Sequence, residues 1–261
     1  MEKHVITICN QKGGVGKTTT SLELAYIFGK KHKTLLIDMD AQRNVSLYAD
    51  ADLEHKGIYE LLNAQCTIEE AIQTIETEES SFDIMISNKK MADASKEFGE
   101  PDDIFLLSDI VEMLDYEIIL LDQAPARSPL LYMSYNASTD FIIVAECDKG
   151  SLEGIQEIHA DISRFVNRKL CSGKILGLLL TKYENTVMHK TAYERLQNIG
   201  KEVLHVDTFA TTIRKAIAVS ECKELNRCVN QYDKWNNAAK DYRLLVAEIY
   251  NKWEGVVEDG K

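Results

Sequence analysis

Short runs of apolar residues alternate along the chain with longer stretches in which apolar positions recur every three or four residues. That rhythm predicts buried parallel strands separated by covering helices. Strands are expected at 4–10, 34–38, 82–87, 117–122, 140–146, 174–181 and 203–209. The runs IILLD, FIIVAE and ILGLLLT are apolar almost throughout, as strands covered on both faces should be. Helices are expected at 18–31, 67–75, 151–167 and 236–257. The second opens with Thr67 and Glu70 in the T-x-x-E spacing of a capping box. In the third, Ile155, Ile158, Ile162 and Phe165 share one face. In the last, Leu244, Ile249 and Trp253 are expected to pack onto the core. Only three prolines and no Gly/Ser-rich linker interrupt this pattern. Residues 1–261 are therefore expected to form a single α/β domain, a mostly parallel twisted sheet with helices on both faces.

The segment NQKGGVGKTTT, residues 10–20, joins the first strand to the first helix. Such a junction aims backbone N–H groups and a helix N-terminus at an anion. Gly13, Gly14 and Gly16 allow the tight curvature and close approach that phosphate oxygens require. Lys17 is placed to reach β- and γ-phosphates, and the Thr18 hydroxyl to ligate Mg2+. This is the pattern of a P-loop NTPase, with a nucleotide and Mg2+ as ligands. Its nucleotide-binding residues are Gly13, Gly14, Val15, Gly16, Lys17, Thr18 and Thr19. The strict pattern has glycine where this chain has Gln11, so the match is to a variant, K-G-G-x-G-K-T-T. Phosphate holding by Lys17 leaves a second lysine, Lys12, without a role.

KGGVGKTT resembles the deviant Walker A signature of the ParA/MinD family of ATPases, and the preceding Asn10-Gln11 resembles its ParA branch. Asp38-Met-Asp40-Ala-Gln42-Arg-Asn44 is similar to that family's D-x-D-P-Q-G-N segment. IYELLNAQCTIEEAI, FDIMISN, YEIILLDQAP, ILGLLLTKYE and the closing helix fall in ParA-like order, so the resemblance covers essentially the whole chain. It implies an ATPase that forms a homodimer with ATP sandwiched between facing loops and partitions or positions DNA or other large cargo. In that arrangement Lys12 crosses to the nucleotide of the partner chain. An added cation there stabilises the charge that in-line attack spreads over the γ-phosphoryl oxygens. The implied catalytic residues are Lys12, Lys17 and Asp40, and the implied stimulating partner is a ParB-like DNA-binding adaptor.

Asp38 and Asp40 lie two apart where a buried strand ends, which in an extended chain puts them on one side. Buried carboxylates need partners, and Mg2+ with its waters supplies them. By resemblance, Asp40 positions or activates the attacking water and Asp38 supports the metal's water shell. Asp122 ends the run IILLD in the Walker B arrangement, so Thr18, Asp38 and Asp122 form the expected metal set. The chain also departs from the family. Ala41 and Arg43 stand where proline and glycine are usual, and D-x-P-P becomes Asp122-Gln-Ala-Pro125-Ala126. Phe209-Ala-Thr-Thr212 replaces the I-P-R-N that helps frame the adenine, and Ile217 replaces a glutamate. Phosphate and metal groups are intact; the base pocket and the coupling of switch to partner are altered.

Charge narrows the choice of partner. Residues 1–130 hold 12 Lys+Arg against 24 Asp+Glu, and residues 131–261 hold 18 of each, so all of the net charge of −12 arises in the first half. Any contact with a duplex is expected from the second half. By resemblance Arg214 and Lys215 are the expected non-specific DNA contacts, with Lys182, Lys190, Arg195, Lys223 and Arg227 as further candidates. A MinD-like alternative would end in a basic amphipathic helix that lies on the membrane. This chain ends NKWEGVVEDGK, with Glu254, Glu258 and Asp259, so no membrane targeting is expected. A second alternative is an ATP-dependent carboxylate-activating enzyme similar to dethiobiotin synthetase or the cobyrinic-acid amidases. Neither a substrate-binding domain nor a glutamine-site cysteine is evident for it. Cys147 has no companion suited to the cluster of the nitrogenase iron protein. The six cysteines are dispersed and expected to be reduced thiols, several in strands, and the six histidines lack zinc-site spacing. With no leader-like start and no apolar run long enough for a bilayer, the expected location is the cytoplasm, and the resemblance implies the nucleoid when ATP-bound. No N-terminal helix-turn-helix precedes the loop, so operator-specific repression is not expected.

Overall fold

The computed structural model describes residues 2–255. Its strands are β1 (His4–Cys9), β2 (Thr34–Met39), β3 (Gln73–Glu76), β4 (Ser81–Met85), β5 (Ile118–Gln123), β6 (Asp140–Ala145) and β7 (Lys174–Leu180). They form one sheet in the order β3-β4-β2-β5-β1-β6-β7. All neighbours pair parallel except β3 with β4, which is antiparallel. The helices of the first half are α1 (Lys17–Phe28), α2 (Asn44–Tyr48), α3 (Ile58–Leu62), α4 (Ile68–Ala71), α5 (Ala94–Glu97) and α6 (Leu106–Met113). Those of the second are α7 (Pro129–Ala137), α8 (Lys149–Asn167), α9 (Val187–Asn198), α10 (Ala218–Glu224), α11 (Val229–Tyr232) and α12 (Asn237–Trp253).

Strand side chains alternate between faces, and that period sorts the core. Ile6, Ile8, Leu36, Ile118 and Leu120 join α1 and α12 on one face. Val5, Leu35, Ile37, Ile119 and Leu121 meet α6 and α7 on the other, beside a third cluster in which Ile143 and Leu178 meet Ile155, Ile158 and Ile162 of α8. Each such residue contributes about 1.5–3 kcal/mol on burial, so both faces must be covered. Local signals set the helix starts: Thr67 accepts from the Glu70 N–H at 3.3 Å while Glu70 accepts from the Thr67 N–H at 3.1 Å. Ser128 and Thr186 cap α7 and α9 by accepting from the Leu131 and His189 N–H groups. The C-terminal ends of β1, β2 and β5 lie side by side, which brings the loop after β1 next to Asp38 and Asp122.

Several expectations are corrected. No strand runs through 203–209: Ile199–Leu204 is a π-helix, and His205 has φ 54°, a left-handed conformation that a strand cannot contain. Only a bridge between Leu178 and Thr208 extends the sheet there. The helix expected over 67–75 stops at Ala71, because Ile72 is extended and leads into β3. This edge strand is short and polar, so hydrophobic alternation did not reveal it. Leu244 is 59% exposed and does not pack on the core, whereas Ile249 is buried and Trp253 packs against the core. The last helix ends at Trp253; residues 256 and 257, to which it was expected to run, lie outside the described residues, as do Glu258 and Asp259. All six cysteines are free thiols, but only Cys9 lies in a strand.

Candidate nucleotide site

The loop between β1 and α1 is tied to β6 and to the end of β7. The Asn10 Nδ2 group donates to the Val144 carbonyl of β6 at 2.5 Å, and its Oδ1 accepts from the Lys12 N–H at 2.7 Å. From the end of β7, the Thr181 hydroxyl donates to the Val15 carbonyl at 2.7 Å. Gly14 and Gly16 have φ 79° and 97°, so the turn needs glycine at both positions. A Cβ at Gly13 or Gly14 would meet nothing within 4 Å, which leaves that face of the loop open to a ligand. The Lys17 side chain lies inside, nearly buried, with Nζ donating to the Lys12 carbonyl at 3.2 Å. Burial lowers its pKa, and the charges of Asp122 and Asp40 partly oppose that.

Beneath the loop, Asp38 of β2 and Asp122 of β5 are register partners, and both are buried. Asp122 accepts from the Thr18 hydroxyl at 2.9 Å and the Ser21 hydroxyl at 2.8 Å. Asp38 accepts from the Asp40 N–H at 3.0 Å and from the Ser46 hydroxyl at 2.6 Å. Burial pushes Asp38 up to about 7, with the facing Asp122 adding to the shift. Burial likewise pushes Asp122 up to about 6, against the pull of its hydroxyl donors and Lys17. Two buried carboxyls served by neutral donors, beneath a loop of open N–H groups, suit a divalent cation and a polyphosphate. The residues present fit Mg2+ with a nucleotide: Thr18, Asp38 and Asp122 would hold the metal, and the loop would receive the phosphates. Bound there, the metal would neutralise phosphate charge. Asp40 lies just past the end of β2, partly exposed, with Oδ1 accepting from the Gln42 N–H at 2.9 Å.

The segments after β2 and β5 show what the departures do. Arg43 has φ 57°, a left-handed conformation that arginine occupies under strain. Its Nη1 donates to the Leu53 carbonyl at 3.2 Å. After Asp122, Gln123 is buried and donates to the Ser134 hydroxyl at 2.5 Å. Arg127, further along this loop, pairs with Asp161 of α8 at 2.8 Å.

Lys12 lies apart from Lys17. Its side chain is 40% exposed and reaches Asp148 at 2.5 Å and Glu146 at 3.5 Å, on the segment after β6. Lys182 also pairs with Glu146. The loop, Lys17, Thr18, Asp38, Asp40 and Asp122 are thus brought together, with Lys12 on the rim. Arg214 is held by Asp241 of α12, accepting at 2.6 and 2.8 Å, and Lys215 pairs with Glu184 at 3.0 Å. Sequence reading missed Ser21, Ser46 and Thr181. Ser21 had a signal, because it lies one helical turn after Thr18 on the same face. The other two come from distant elements and had none.

The family model described as AAA domain, AAA_31, matches residues 3–173. An uncharacterized protein of Pseudomonas putida is 30% identical over 257 residues, 95% of each chain. The chromosome-partitioning ATPase Soj of Thermus thermophilus is 27% identical over 251 residues, 94% of each chain. Among solved structures, the ATP complex of a Cyanothece McdA variant is similar with a TM-score of 0.84 at 14% identity, covering 100% of this chain and 99% of that one. The phosphate loop, the paired carboxylates and the parallel sheet agree with these likenesses: the chain belongs to the AAA_31 family and is a P-loop nucleotide-binding protein related to partition ATPases.

Proposed function

We propose that this protein is an ATP-hydrolysing switch that dimerises around two ATP molecules and positions a large cargo. The observation that carries the reading is the division between its two loop lysines. Lys17 is withdrawn into the phosphate cradle, whereas Lys12 is 40% exposed and pairs with Asp148 and Glu146 after β6. In this reading one cation serves the chain's own nucleotide, and the other leaves its carboxylates to meet a nucleotide on a facing chain. Asp40, beside the loop and partly open to solvent, is the candidate to act on the attacking water. Hydrolysis would then remove the negative charge that joins the two chains.

DNA is the favoured cargo, with a ParB-like DNA-binding protein as the stimulating partner. Similarity to Soj along nearly the whole chain supports this over carboxylate activation. Of the two candidate DNA contacts, Lys215 is the more available: it is 62% exposed and has one surface partner, whereas Arg214 is engaged by Asp241. Among the described residues no helix is long and apolar enough to cross a membrane. The test measures nucleotide affinity and light scattering on two variants. Lys17→Ala is expected to lose MgATP binding. Lys12→Ala is expected to keep it but to lose ATP-dependent dimerisation and hydrolysis. Identical behaviour of the two variants would remove the division of roles. Stimulation of ATPase activity by a small carboxylate, and not by DNA with a partner protein, would favour the metabolic reading.

A further inference from the structure

Thr181 follows directly on β7, is 2% exposed, and stands against the phosphate loop. Its hydroxyl lies 2.7 Å from the Val15 carbonyl and 3.2 Å from the Ala145 carbonyl, and its single proton goes to the nearer acceptor. The Ala145 carbonyl is served in any case, because the Thr181 N–H donates to it at 2.8 Å. The Thr181 side chain also covers Gly16, with atoms 3.5–3.7 Å from where a Cβ would stand. The Val15 carbonyl and the Gly16 N–H belong to one peptide group, which is trans and planar. The two therefore point in opposite directions, so a carbonyl held toward Thr181 turns the N–H away from it. Among the described residues that N–H donates to no protein group. The other end of the loop differs, since Asn10 Oδ1 takes up the Lys12 N–H.

We propose that Thr181 is a positioning residue for nucleotide binding: its hydroxyl fixes the Val15–Gly16 peptide so that the Gly16 N–H faces the phosphates. This rests on the nucleotide reading of residues 10–19 and adds a group from the end of an edge strand of the sheet. Without the hydroxyl the peptide plane is free to turn, because glycine tolerates many backbone conformations. A reversed plane would aim carbonyl lone pairs at the anion, exchanging an attraction for a repulsion. A plane fixed before the ligand arrives spares the nucleotide that ordering cost. Threonine suits the place, since its hydroxyl holds the loop while its methyl group lies 3.6 Å from the Gly16 Cβ position.

The dipeptide valine–glycine occurs once in the sequence, at Val15–Gly16, so isotope labelling of valine carbonyls and glycine nitrogens isolates this one amide in NMR spectra. Its signal is followed in the parent chain, Thr181→Val, Thr181→Ala and Thr181→Ser, while calorimetry measures affinity for a non-hydrolysable analogue of MgATP. In ligand-free Thr181→Val and Thr181→Ala the signal is expected to leave its parent position. Affinity should weaken about tenfold in both, the scale of one lost hydrogen bond. Thr181→Ser should keep both the position and the affinity. A parent-like signal or a parent-like affinity in either hydroxyl-free variant overturns the inference. So does an equal loss in Thr181→Ser, which would assign the effect to the methyl group packed on Gly16. Those results leave the nucleotide reading standing as long as the parent binds the analogue. A parent chain that binds none removes the reading together with the inference.

Discussion

Asp38 and Asp40 are separated by one residue, yet the structure puts them in different media. Asp38 is fully buried and saturated by Ser46 and the Asp40 N–H, so it has little freedom to move a proton or reach a water. Asp40 is past the strand end, with one carboxylate oxygen held by the Gln42 N–H. It follows that Asp40→Ala should keep MgATP binding and lower hydrolysis by on the order of 100-fold or more. In light scattering, the variant should show a dimer that persists in ATP. Normal turnover in Asp40→Ala would remove this residue from the chemistry. The motif was legible because carboxylates two apart at a buried strand end have few other uses. Ser46, which orients Asp38, was not legible, because its contact depends on how α2 folds back over β2.

At the scale of elements, the segment after the π-helix is tied to α12 by Arg214. The guanidinium and N–H of Arg214 both donate to the Asp241 carboxylate, which is buried at the start of α12. Removing the arginine leaves a buried carboxylate without its cation, a strongly destabilising change when both partners are enclosed. Arg214 is itself partly exposed, so the expected cost of Arg214→Ala is about 2 kcal/mol in urea unfolding. Lys215→Ala, a surface change, should stay within about 0.5 kcal/mol of the parent. Anisotropy on two unrelated duplexes then assigns any DNA contact to Lys215 without a folding effect. Equal stability of the Arg214 and Lys215 variants would argue against the packing role. The resemblance pointed to both cations, but pairing one of them with α12 needed the fold.

Across the whole molecule, three buried carboxyls make stability depend on pH. Burial raises Glu23 to about 7, Asp38 to about 7 and Asp122 to about 6, from ordinary values of 4.5, 3.8 and 3.8. Between the ordinary and raised values, the folded chain holds protons that the unfolded chain has released. Stability without ligand is therefore fully present below the unfolded pKa values and falls as pH rises through about 4 to 7. MgATP works the other way: the metal requires ionised Asp38 and Asp122, so binding releases protons and tightens as pH rises across about 6 to 7. Thermal midpoints at acid and mildly alkaline pH, with MgATP titrations in two buffers of different ionisation enthalpy, check both signs. A midpoint independent of pH, or binding without proton release, would contradict them.

The sequence by itself determined six of the sheet's seven strands, their burial on both faces and the phosphate loop, because each depends on local periodicity or on spacing within a few residues. Strands covered on both sides must be apolar throughout, and a loop that wraps phosphate must have glycine where φ is positive, as at Gly14 and Gly16. Only the tertiary structure decided that 203–209 is no strand, that Lys12 stands on the rim, and that Arg214 is joined to Asp241. It also decided that Asp38 faces Asp122 on the neighbouring strand and that Thr181 holds the Val15 carbonyl. These pairs unite residues far apart in the chain. Their energies come from desolvation and charge at short range, which no local pattern encodes.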